Sequence, residues 1–186
     1  MIKGFFAGAA AVVAAGLLGA YAFVTMGWIP ANADAKPPRI ERWAAHKSLN
    51  ATIAREAPKD PNPAALNDEN LAAGIKLYAA DCAVCHGAAD GAASHVAKGL
   101  YQRPPQLAKH GVTDDEEGET YWKIFHGIRM TGMPSYRATM TETEIWQIAL
   151  FLKHMKELTP AASKAWAAVP SQSGVSSEDA ARSKRL

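Results

Sequence analysis

The hydrophobic pattern of the chain changes along its length. Residues 4–29 form an uncharged run that is dense in Ala, Val, Leu and Phe, whereas residues 67–158 place apolar side chains at helical spacing between polar ones. The stretches on either side of the second region are rich in Pro, Ala, Ser or charged residues. The pattern predicts four regions: an apolar N-terminal segment (1–29), a Pro-rich linker with a short helix near its middle (30–66), a helical domain (67–159) and a largely disordered tail (160–186).

Helix-start signals divide the helical domain. Residues 67–70 (Asn-Asp-Glu-Asn) begin a first helix with acidic side chains in its first turn. Residues 113–116 (Thr-Asp-Asp-Glu) and 141–144 (Thr-Glu-Thr-Glu) have capping-box patterns, which predict the starts of two further helices. The second of the three helices is expected to stop at Gly127. We therefore predict an all-α domain with three main helices joined by irregular loops.

The N-terminal apolar run is long enough to cross a bilayer with some tilt, since it extends from Gly4 to Ile29 without a charge. A cleaved secretory signal is the alternative, because residues 31–33 (Ala-Asn-Ala) resemble a cleavage site. The run exceeds the ~7–15 apolar residues of most signal peptides, which favours an uncleaved transmembrane anchor.

Charge is distributed unevenly about a net value of +2. Residues 67–158 carry nine Lys and Arg against twelve Asp and Glu, a balance of −3, so the excess of basic residues lies outside the helical domain. A nucleic-acid-binding domain needs a basic face with interleaved aromatic residues. The charge distribution therefore argues against a nucleic-acid partner.

The two cysteines of the chain, Cys82 and Cys85, are followed at once by His86. C-x-x-C-H is the attachment signature of c-type haem. On a helical turn these three side chains share one face, so two thiols can form thioethers to the haem while the imidazole reaches the iron. A single signature indicates one haem c. Structural zinc would need further Cys or His ligands, a thioredoxin-type site would need a βαβ pattern, and a simple disulfide would leave His86 unexplained.

The order of elements in residues 67–158 resembles a class I c-type cytochrome of the small bacterial monohaem kind: a helix, C-x-x-C-H, a proline-containing loop, a helix, Gly-Met-Pro and an aromatic-rich last helix. Residues 127–136 are similar to the distal-methionine loop of that family. The resemblance implies the class I cytochrome c fold, with His86 as the proximal iron ligand and Met133 as the distal one. Met130 is the main rival to Met133, and either methionine could instead fill a gap in the core.

Other candidate residues follow from the same resemblance. Pro105 matches the family proline whose carbonyl accepts the proximal histidine Nδ1–H, and Gly74 with Trp146 matches the contact between the first and last helices. A bis-histidine haem would need one of three further histidines, namely His95, His110 or His126. Side chains able to contact haem or its propionates are Trp122, Tyr101, Arg103 and Arg129.

These features predict a membrane-tethered monohaem cytochrome that carries single electrons and is not an enzyme. The resemblance implies that haem is attached outside the cytoplasm, so we expect the haem domain on the periplasmic side of a bacterial inner membrane. Its expected partners are redox proteins, a dehydrogenase or an oxidase, and the membrane itself through the N-terminal helix. Two alternatives are a cytochrome subunit of a larger oxidase or dehydrogenase complex, and a haem-based ligand sensor or peroxidase in which Met133 is displaced.

Overall fold

The computed structural model describes residues 2–173. These residues contain helices and turns and no β-strand, which confirms the all-α prediction for the described part. They form two compact units, residues 2–35 and residues 36–173, which we describe separately. The helices are α1 (Ile2–Thr25), α2 (Arg39–Glu56), α3 (Asp68–Leu77), α4 (Ala83–His86), α5 (His95–Gly99), α6 (Leu107–His110), α7 (Glu117–His126), α8 (Glu142–His154) and α9 (Pro160–Ala167), with a π-helical turn at Tyr78–Cys82.

The first unit consists of α1 and the turns that follow it. Its 24 residues rise about 36 Å, enough to cross the hydrocarbon core of a bilayer. None of its side chains is buried, and Lys3 is its only charged residue. Among residues 2–173, α1 is the one helix long and apolar enough to cross a membrane, a test that a signal sequence also passes.

The second unit is built on the packing of α3 against α8. Both helices begin where the sequence predicts: the Asn67 side chain accepts the Asn70 backbone N–H at 2.8 Å, and Thr141 with Glu144 forms a complete capping box. The two helices cross closely at Gly74, where an added Cβ would lie 2.2 Å from the Gln147 carbonyl oxygen. Only glycine allows this close approach between α3 and α8.

The predicted start of α7 is wrong. The capping-box pattern at residues 113–116 does not cap the helix, which begins at Glu117 after Glu116 and has no side-chain cap. Asp115 is used in tertiary contacts instead: its carboxylate pairs with Lys123, and its carbonyl accepts the Lys153 ammonium at 2.9 Å. The helix does end at Gly127, as predicted, with a φ of +66°.

The prediction of a linker over residues 30–66 is wrong in one respect: the helix expected near its middle is present, but it packs on the domain and is not part of a free linker. Helix α2 is 18 residues long, and Ile53 and Ala57 pack against Trp122 of α7. The chain stays on the domain after α2, since a Cβ at Gly118 would lie 2.1 Å from the Pro58 carbonyl oxygen. The polar composition of this range predicted a linker. Composition does not show that a few apolar residues can dock a helix on a partner that is distant in the sequence.

The prediction of a disordered tail from residue 160 is also wrong for its first part. Helix α9 starts with Pro160 at its first position, a place where the missing N–H of proline costs nothing. Trp166 packs edge-on against Tyr78 and Phe151, with ring centroids 5.5 and 5.1 Å apart, and Val169 is also buried. Residues 174–186 of the predicted tail lie outside the described residues.

Candidate haem site

The C-x-x-C-H sequence, residues 82–86, lies on one continuous helical segment, which we call the C-x-x-C-H turn. Helix α3 runs into the π-helical turn, α4 follows, and Gly87 ends α4 with a φ of +81°. Cys82, Cys85 and His86 are each partly exposed on this turn. The cysteines are free thiols, and no cluster of three or more His, Cys, Asp or Glu side chains in the described chain could hold a metal ion.

His86 is held through one ring nitrogen. Its Nδ1–H donates to the Pro105 carbonyl oxygen at 3.0 Å. Because a carbonyl only accepts, this bond fixes the proton on Nδ1 and leaves the Nε2 lone pair free to bind a metal. Burial lowers the pKa of His86, an effect that the Pro105 bond partly opposes. The imidazole is therefore neutral at pH 7, the form that ligates iron.

Four carbonyl groups on the same turn accept hydrogen bonds from side chains of other parts of the domain. These are Tyr78 Oη to Gly87 O (2.8 Å), Ser94 Oγ to Val84 O (2.5 Å), Gln106 Nε2 to Cys85 O (3.0 Å) and Tyr136 Oη to Asp81 O (3.0 Å). Sequence reasoning did not identify any of these four donors. Gln106 had the nearest signal, since it follows Pro105 directly, while the other three have no local pattern around them.

Gly87 is needed for more than its backbone conformation. A Cβ at this position would lie 2.6 Å from Gln106 Oε1, an oxygen that is buried and has no hydrogen-bond partner. Any other residue at position 87 would need both a strained backbone and a shift of the Gln106 side chain. The end of α4 is therefore fixed against the segment that holds Pro105.

The loop after α7 distinguishes the two methionines. Met133 is partly buried and packs against the same core as Cys82, whereas Met130 is 88% exposed and has a φ of +61°. The loop is closed by Ile128 N–H to Met133 O at 3.1 Å, and by Met133 N–H to Thr131 Oγ1 at 3.1 Å. The geometry favours Met133 over Met130 as the side chain turned toward the core.

Within the described residues, no side-chain hydrogen bond joins the remaining candidates to this turn. Trp122 packs with Ile53 and Ala57 in a cluster separate from the core that includes Cys82, so the predicted haem contact gains no support. The Tyr101 hydroxyl donates to Glu41 at 2.9 Å. The other arginine and histidine candidates are exposed, namely Arg103, Arg129, His95, His110 and His126.

The helical fold and the C-x-x-C-H turn define a c-type cytochrome domain. Residues 69–152 match the family model described as cytochrome c oxidase, cbb3-type, subunit III. The matched range includes the turn, Pro105 and Met133. No curated protein and no solved structure matches the chain. The domain is therefore a haem-based electron-transfer domain, and its class implies covalently bound haem c.

The residues present fit that group. Two free thiols lie three residues apart on one turn, and the neighbouring imidazole has its Nδ1 satisfied and its Nε2 available. A thioether side chain packs on the same core. These are the donor types that covalent haem attachment and axial ligation require.

Proposed function

We propose that this protein is a membrane-tethered cytochrome c with one haem, which transfers single electrons between redox partners on the periplasmic side of a bacterial membrane. The observation that carries the proposal is the C-x-x-C-H turn with His86 Nδ1 fixed by Pro105. The matched range contains one such turn, which supports a single haem.

In this proposal Cys82 and Cys85 would form the thioethers to haem, and His86 Nε2 and the Met133 sulfur would hold its iron. A haem c held by these residues would supply reversible one-electron exchange at its iron. Met133 contributes a soft, neutral sulfur that favours ferrous iron, so His/Met ligation raises the reduction potential relative to bis-histidine ligation. The chain offers two ligands for the two axial positions, which supports electron transfer over ligand sensing or peroxidase activity.

Other residues set the environment of the ligands. Pro105 orients the His86 ring and increases electron donation from its Nε2. The four side-chain bonds to the turn hold both cysteines and His86 in place, so little rearrangement accompanies a change of iron charge. The packed core behind the turn keeps water away from the buried side of the site.

Helix α1 supports the tether, because it is apolar and none of its side chains is buried. The periplasmic location follows from the class of domain, since c-type haem is attached outside the cytoplasm in the bacterial members that this chain resembles. A second candidate function is a subunit of a larger oxidase, which the name of the matching family favours. Stable co-purification with further subunits in mild detergent would distinguish this role from a free carrier.

The test is expression of the full chain with a haem-maturation system. We expect one haem that survives acidified organic extraction, an intact mass larger by one haem, and the near-infrared sulfur-to-iron charge-transfer band in the ferric protein. Retention in the membrane fraction after carbonate washing tests the tether separately. A matured chain without the added mass would overturn the proposal, whereas a chain that begins near residue 34 would overturn only the anchor.

A further inference from the structure

Helix α2 has two different sides. Leu49, Ile53 and Ala57 lie on the side that packs against Trp122. With 3.6 residues per turn, a second set of side chains lies on the opposite side of the same helix. This set is mostly apolar and exposed, and it consists of Ile40, Trp43, Ala44, Lys47, Ala51 and Ala54. We call this set the outer face of α2.

The two large apolar residues of the outer face are Ile40 and Trp43, which are 69% and 62% exposed. Burying them is favourable because it removes large apolar surfaces from water. Nothing in residues 36–173 covers either residue. The docked side of the helix already holds it to the domain, so the outer face is available without any rearrangement.

Cations outnumber acidic residues along α2 and just before it. Residues 36–56 carry five cations, namely Lys36, Arg39, Arg42, Lys47 and Arg55, against the two acids Glu41 and Glu56. The Glu41 carboxylate accepts the Tyr101 hydroxyl, and Glu56 pairs with Arg55. The local balance is therefore +3, against −3 for residues 67–158.

This combination fits a lipid surface better than it fits a protein partner. A tryptophan among lysines and arginines is typical of helices that lie at the membrane interface, where cations contact lipid phosphates and apolar side chains enter the headgroup region. Each cation near an anionic surface adds to the attraction. Only 13 residues (26–38) connect the end of α1 to the start of α2, so a bilayer crossed by α1 is close in the chain.

We propose that the outer face of α2 lies on the surface of an anionic bilayer, with Trp43 and Ile40 in the headgroup region and the neighbouring cations against lipid phosphates. The inference rests on the membrane tether proposed above. It goes beyond tethering because it gives the haem domain a defined side toward the membrane: the side that carries the outer face of α2 faces the lipid.

The test uses full-length, haem-loaded protein in vesicles. Thioether formation consumes the two native cysteines, so a single introduced cysteine carries the only reactive thiol. A fluorophore is attached through Ala44→Cys on the outer face, or through Ala45→Cys as the matched control. Both alanines are exposed and adjacent, but they point about 100° apart around the helix. The vesicles contain lipids brominated near the headgroup end of the acyl chains.

In vesicles with anionic lipid we expect bromine to quench the Ala44→Cys label several-fold more than the Ala45→Cys label. The difference should disappear in purely zwitterionic vesicles, and it should fall when Ile40→Ser and Trp43→Ser are added. Equal quenching of both labels in anionic vesicles would overturn the inference. Shielding of the Ala44→Cys label from solvent in native membranes but not in anionic vesicles would also overturn the inference, since it would indicate a protein partner.

The same samples separate this inference from the proposed function. Carbonate-resistant incorporation reports the anchor, and the ferrous absorption spectrum reports the covalent haem. If both are present while the two labels are quenched equally, the proposed function stands and the docking of α2 on lipid fails. If incorporation itself is lost, the tether fails instead.

Discussion

The two sides of the candidate haem site are built differently. The C-x-x-C-H turn is held by long-range hydrogen bonds from Ser94, Gln106 and Tyr136, and by His86 to Pro105. The loop that carries Met133 is closed mainly by bonds within residues 128–133. The first side depends on the tertiary fold, whereas the second is a small local structure attached to it.

This difference indicates which substitutions the domain tolerates. A substitution in the turn disturbs bonds from several helices and loops at once, so its cost falls on the stability of the whole domain. A substitution at the tip of the loop changes few contacts outside the loop. We therefore expect alterations on the Met133 side to change ligation while the fold is kept, and alterations on the Cys82 side to affect attachment and stability.

The largest effect is expected from removing both thiols. The double variant Cys82→Ser with Cys85→Ser should contain no covalent haem after expression with a maturation system, because both thioether bonds are lost. Mass spectrometry of the purified chain and haem staining of a denaturing gel measure this. Met133→Ala is the control and should keep its covalent haem. Covalent haem in the double variant would contradict the proposal that Cys82 and Cys85 are the attachment residues.

The next effect concerns the distal ligand. Met133→Ala should abolish the near-infrared charge-transfer band, lower the reduction potential and let the ferrous form bind carbon monoxide, since one axial position is opened. Met130→Ala is the matched control: its side chain is exposed, so the band and the potential should be unchanged. Loss of the band in Met130→Ala, with retention in Met133→Ala, would reverse the ligand assignment.

A smaller effect on the free energy of unfolding should distinguish a buried hydrogen bond to the turn from a partly exposed one. Tyr78 is fully buried, so Tyr78→Phe leaves the Gly87 carbonyl without a partner and should lower the free energy of unfolding by about 1–3 kcal/mol. Tyr136 is only partly buried, and water can replace its hydroxyl at Asp81. Tyr136→Phe should therefore cost about 0.5–1.5 kcal/mol. Guanidinium denaturation of the two variants measures the difference, and equal costs would contradict it.

The smallest effect is expected at Asp90, in the loop after the turn. The Ser171 hydroxyl, and then the Ala92 amide, lower the pKa of the Asp90 carboxyl below its usual value of 3.8. A lowered pKa adds stability above pH 3.8, and that stability is lost as the pH falls through the folded value. Ser171→Ala should raise the pKa of Asp90 toward 3.8.

An NMR titration of the Asp90 carboxyl in the ferrous protein measures that shift. Ser163→Ala, an exposed position on α9, serves as the control and should leave the titration unchanged. An Asp90 titration that is the same in wild type and Ser171→Ala would show that the chain after α9 does not reach this loop in solution.

Local signals predicted the helices whose ends are fixed locally. Asn67 and Thr141 cap α3 and α8 through bonds to residues only three positions away, so the pattern contains all the information that is needed. The same reasoning failed at Asp115, whose side chain pairs with Lys123 within α7 and whose carbonyl accepts from Lys153 of α8. The local pattern at residues 113–116 therefore does not show that tertiary contacts hold this segment outside the helix and that α7 begins at Glu117.

The site was predictable in its residue types but not in its supports. Cys82, Cys85 and His86 carry a signature, and the bond from His86 to Pro105 has the geometry expected from the resemblance. The donors Ser94, Gln106 and Tyr136 lie 10 to 55 residues from the carbonyls they bind. No periodicity connects such pairs. The ligand roles of His86 and Met133 themselves stay predictions until they are measured.

The packing of α2 on the domain leaves 13 residues between the domain and α1. This short connection affects how often the domain meets a partner fixed in the same membrane. A linker of 37 residues, treated as a flexible coil, has a root-mean-square length of about 30–35 Å, whereas the 13 residues between α1 and α2 give about 20 Å. Local concentration falls as roughly the −3/2 power of linker length, so the shorter connection raises it roughly fivefold. If α1 stays in the bilayer, the search for such a partner becomes a two-dimensional one at a nearly fixed height, and encounter depends on lateral diffusion.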